Sequence, residues 1–71
     1  MMIEFDLNGR KIALDESAVR ELRELAFARA GSSSMLNDLA VILTRALTER
    51  KVVTLRRAES RAFDDLLDSR P

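Results

Sequence analysis

Between residues 3 and 14 the chain alternates apolar and polar side chains, then doubles back. Ile3, Phe5 and Leu7 alternate with Glu4 and Asp6, and Asn8-Gly9 follows. A period of two is the mark of a strand with one buried face. Asn-Gly beside such a run signals a hairpin, because both residues tolerate positive φ. A two-residue turn then sets the register. Leu7 faces Arg10, Asp6 faces Lys11, Phe5 faces Ile12 and Ile3 faces Leu14. One face collects Ile3, Phe5, Leu7, Ile12 and Leu14. The other carries Glu4, Asp6, Lys11 and Ala13, with an Asp6–Lys11 cross-strand pair.

After residue 15 the period lengthens to that of a helix. Val19, Leu22, Leu25, Ala26 and Ala30 share one face of a helix expected from about Glu16 to Ala30. Asp15 or Ser17 is placed to cap it, and Gly31 to end it in a left-handed C-cap. A second helix is expected from about Met35 to Glu49. Leu36, Leu39, Ala40, Ile42, Leu43, Ala46 and Leu47 give it a wide apolar arc, with Val41 outside that arc. Lys51–Leu55, a short β-branched run, reads as a third strand beside the hairpin. A third helix from about Arg57 to Asp68 turns Ala58, Ala62, Phe63, Leu66 and Leu67 inward, from a poor N-cap at Arg56. The fold class is therefore α+β: one small domain over residues 1–71, in the order ββααβα, with helices on one face of a small sheet.

Composition narrows the chemistry. The chain has 71 residues, 46% hydrophobic and 34% charged, with no Cys, His, Trp or Tyr. Without Cys there is no thiol nucleophile or zinc finger, and without His the usual neutral-pH base and commonest metal ligand are missing. Paired carboxylates are present at Glu21/Glu24 and Asp64/Asp65/Asp68, but both sets fall on expected solvent-facing helix surfaces. Ser32, Ser33 and Ser34 have no basic partner within reach and read as cap residues. The two glycines are isolated, so no phosphate-cradling loop exists. These features point away from an enzyme, and no cofactor or metal is expected. No basic start followed by an apolar run marks a signal peptide, and no apolar stretch approaches the ~20 residues of a membrane span. A cytoplasmic location and no membrane partner are the corresponding expectations.

Charge is balanced overall, twelve basic against twelve acidic residues, but it is unevenly placed. Residues 45–61 hold Arg45, Arg50, Lys51, Arg56, Arg57 and Arg61 against Glu49 and Glu59. Ten of the twelve basic residues are arginine, a bias that fits codon usage in a GC-rich genome as well as anion recognition. The third helix is charged against its own dipole: arginines 56, 57 and 61 near its positive end, aspartates 64, 65 and 68 near its negative end. An antiparallel copy of the same helix sets each cluster against its opposite, and a two-fold dimer does this by symmetry. A small core also favours association. The expected function is thus a non-enzymatic protein-interaction module, a homodimeric accessory or regulatory subunit. Its interface residues are Val41, Arg57, Arg61, Phe63, Asp64, Asp65 and Asp68, with Val41 and Phe63 as apolar anchors. The open sheet edges offer a second route to pairing, and an apolar surface that pairs with itself could accept another protein instead. The alternative is a small nucleic-acid-binding regulator using Arg45, Arg50, Lys51, Arg56 and Arg57. Zero net charge and the lack of aromatic residues among the basic ones weigh against it.

Overall fold

A computed structural model describes residues 1–49 and 51–69. Strand β1 (Met2–Leu7) and strand β2 (Arg10–Asp15) form the hairpin. Their register is the one set by the turn, with Leu7 opposite Arg10, Asp6 opposite Lys11 and Phe5 opposite Ile12. Asn8 and Gly9 adopt φ of 55° and 101°, as a two-residue loop demands. The Asp6 carboxylate accepts the Gly9 N–H at 2.8 Å and tightens the turn. Helix α1 (Glu16–Arg29) follows β2 without a linker.

The end of α1 differs from expectation. Gly31 does not enter the left-handed region; a 3₁₀ turn over Ala30–Ser32 continues the helix instead. The Ala30 N–H donates to the Phe27 carbonyl and the Ser33 N–H to the Ala30 carbonyl. Tightened right-handed turns thus satisfy terminal carbonyls that a glycine cap otherwise serves. Helix α2 (Ser34–Glu49) then folds back along α1. Strand β3 (Val53–Leu55) and helix α3 (Arg57–Asp68) complete the ββααβα order.

The sheet order is β2-β1-β3, so the N-terminal strand is central. Strand β3 lies parallel to β1, with Phe5 opposite Val53 and Leu7 opposite Leu55. The helices cover one face. Ile3, Phe5, Leu7 and Leu55 from the sheet meet Val19, Leu22, Leu39, Leu43, Phe63 and Leu66 from the helices, all at most 4% exposed. Phe5 and Phe63 stack obliquely, ring centroids 5.0 Å apart. On the other face Glu4, Lys11, Ala13 and Thr54 are exposed. No helix among the described residues is long and apolar enough to cross a membrane.

Candidate functional site

Helix α3 carries the charge pattern that the sequence singled out. Its core side is set by Phe63 and Leu66, with Ser60 also buried. The opposite side exposes Arg57, Ala58, Arg61, Asp65 and Asp68. Steps of four and three residues place these on one stripe of the cylinder. The two arginines occupy its N-terminal half and the two aspartates its C-terminal half. Among the described residues none of these four charges forms an ion pair. The stripe is therefore bipolar, and it opposes the helix dipole at both ends.

Two of the residues expected at this surface lie elsewhere. Phe63 is 0% exposed and belongs to the core, so it is not an apolar anchor. Its position between Ser60 and Leu66, on the side that packs against Phe5, fixes this. Asp64 sits at the flank of the helix, where its carboxylate pairs with the Arg10 guanidinium at the start of β2. It ties α3 to the hairpin and is already matched. Val41 is where expected, 46% exposed on α2, and Phe27 on α1 is also half-exposed.

The expected basic stretch divides in space. Arg45 and Lys51 line a shallow, open groove of about 210 Å³ between the end of α2 and β3. Its remaining lining is Ile42, Ala46, Glu49, Val52 and Val53. Arg56 and Arg57 lie beyond the other end of β3, at the start of α3. Arg50 lies outside the described residues. At the start of α3 the Glu59 carboxylate already accepts the Arg56 N–H at 2.9 Å. That contact is the acidic half of a capping box, and it supplies the N-terminal cap missing from the expected arginine position.

Among the described residues no convergent set of catalytic groups stands out. The groove is smaller than the ~300–1,000 Å³ typical of small-molecule sites, and aliphatic side chains supply its floor. Among the described residues no group of three or more acidic side chains gathers to hold a metal ion. Among the described residues, the carboxyl with a perturbed titration is that of Asp15. The Ser17 hydroxyl foremost holds it below its ordinary value; desolvation opposes this, and the N-terminal ammonium and the Glu16 N–H add to the lowering. That arrangement joins the chain's first residue to the β2–α1 junction, where the Glu16 N–H also donates to the Met1 carbonyl at 3.0 Å. It is a structural clasp. No protein-family model, curated protein or solved structure matches this chain.

The β3 edge was the feature least legible in the sequence. Lys51-Val-Val-Thr-Leu55 reads as a strand, but nothing local says which strand it joins or which of its sides stays open. The charge of its flanks, Lys51 on one side and Arg56 on the other, was the available signal.

Proposed function

We propose that this chain is a non-enzymatic interaction module of the cytoplasm that pairs with a second copy of itself through α3. The observation that carries the reading is the bipolar stripe of α3: Arg57 and Arg61, then Asp65 and Asp68, exposed and unpaired among the described residues. Two such stripes set antiparallel about an axis near residue 63 bring Arg61 against Asp65 of the second copy and Arg57 against Asp68. Symmetry doubles each contact, giving four ion pairs. Ala58 on the same stripe keeps the helix surface low and lets the axes approach to ~8–10 Å.

The magnitudes define the kind of dimer. Exposed ion pairs contribute roughly 0.2–1 kcal/mol each, so four reach ~1–4 kcal/mol. A Kd of 1 mM corresponds to about −4.1 kcal/mol. The stripe alone supports a weak, salt-sensitive dimer. Micromolar pairing requires exposed apolar surface such as Val41 to be covered as well. Sedimentation equilibrium over a wide concentration range, at low and high salt, tests this. The expected result is a mass rising from 8.0 kDa toward twice that value at low salt. Arg61→Asp should weaken association, and adding Asp65→Arg should restore it. A mass of 8.0 kDa at every concentration and salt level removes the self-association reading.

A further inference from the structure

We propose a second interaction site, which shares only Arg57 with the α3 stripe: the free edge of β3 accepts an extended acidic segment of another protein as a fourth strand. The ladder geometry supplies the backbone partners. In a two-residue hairpin the closing pair, Leu7 and Arg10, exchanges hydrogen bonds toward β2. The groups of Asp6 then point the other way, toward β3. Asp6 is opposite Thr54, so Val53 and Leu55 bond to β1, and the Thr54 N–H and C=O face the open side. An unpaired donor and acceptor on an edge strand are the basis of strand addition.

The surroundings of this edge supply the side-chain recognition. Ile42, Ala46, Val52 and Val53 form an apolar groove beside it, and Val52 is 58% exposed. A groove of about 210 Å³ suits one or two aliphatic side chains of an added strand. Arg45 and Lys51 stand at one end of the edge and Arg56 and Arg57 at the other. Neither Arg45 nor Lys51 forms an ion pair among the described residues. Four residues separate Lys51 from Arg56, and three of them, Val53–Leu55, form β3, so the edge itself is short, about 10 Å. Glu49 also lines the groove and, among the described residues there, is the acidic side chain that opposes an acidic guest.

The same charges argue against a second copy as the occupant. Antiparallel pairing of two β3 strands about Thr54 brings the Lys51 end of one strand toward the Arg56 end of the other. Like charges across a strand pair are unfavourable. The edge therefore disfavours its own kind and suits a guest with carboxylates flanking an aliphatic core.

The test uses the whole chain and a fluorescein-labelled heptapeptide, Glu-Val-Glu-Ile-Glu-Val-Glu, with blocked ends. Anisotropy should report binding that the lysine counterpart of the peptide lacks. The pair of substitutions Arg45→Glu and Lys51→Glu should weaken binding about tenfold or more, and Glu49→Gln should strengthen it. Thr54→Pro removes an N–H that bonds to nothing in the sheet, so the fold should persist by circular dichroism while peptide binding falls. If Thr54→Pro unfolds the chain, a peptide N-methylated along its bonding edge carries the same test. Equal binding of acidic and lysine peptides overturns the proposal, as does binding indifferent to both the charge reversals and the blocked edge. Tighter binding of a short single-stranded oligonucleotide than of the peptide overturns it in favour of phosphate recognition. A change of oligomeric state on Lys51→Glu alone, without peptide binding, assigns the edge to a second copy instead.

Discussion

Replacing Phe63 by alanine separates a core role from an interface role, because the two predict different observables. The ring is 0% exposed and its centroid lies 5.0 Å from that of Phe5. Truncating a buried phenylalanine costs about 3–5 kcal/mol, part transfer and part cavity. The aromatic pairing accounts for ~0.5–1.5 kcal/mol beyond area burial. A 71-residue domain at roughly 0.05–0.15 kcal/mol per residue has ~4–11 kcal/mol in total. Phe63→Ala therefore removes a large share of the stability and leaves the chain near its unfolding threshold. Phe63→Leu keeps most of the burial and should cost about 1–1.5 kcal/mol. With a urea slope near ~1 kcal/mol/M, that is a midpoint drop of about 1 M for leucine and about 3 M or more for alanine. The assay is urea unfolding followed by circular dichroism at two protein concentrations. A core residue lowers both midpoints equally. An alanine drop smaller than about 1 M, or one seen only at high concentration, refutes the core assignment.

The two glycines should respond in opposite directions. Gly9 has a φ of 101°, and nothing lies within 4 Å of an added Cβ, so Gly9→Ala costs backbone strain alone, about 1–3 kcal/mol. Gly31 has equal room and an ordinary φ, so Gly31→Ala should stabilise by ~0.4–1 kcal/mol through the unfolded state; thermal melts of both variants check the signs. Asp15 titrates below its ordinary value of 3.8 in the folded chain, so it contributes stability above that pH and loses it as pH falls through the lowered value. Urea midpoints measured from pH ~5 downward should fall less steeply for Asp15→Asn than for the parent chain, and parallel curves rule out the clasp as a source of acid sensitivity.

The sequence by itself determined what local geometry can determine. Asn8-Gly9 and the alternation around it specified the hairpin and its register to the residue, because a two-residue turn leaves one pairing that buries Ile3, Phe5 and Leu7 together. Helical spacing likewise placed α3 at Arg57–Asp68. Its charge reversal was legible too, since charges on a single helix are read directly from spacing. Tertiary structure decided the rest. Which strand β3 joins depends on burial summed over residues some fifty positions apart, and no local pattern encodes it. Placement beside β1 made the hairpin's first strand central and left one side of Thr54 open. The division of α3 into used and unused charges was also a packing outcome: Asp64 met Arg10 across the chain, while Asp65, one residue on, stayed exposed. Phe63 shows the same limit, because an aromatic ring on an amphipathic helix is equally fit for a core or an interface until a neighbour such as Phe5 claims it.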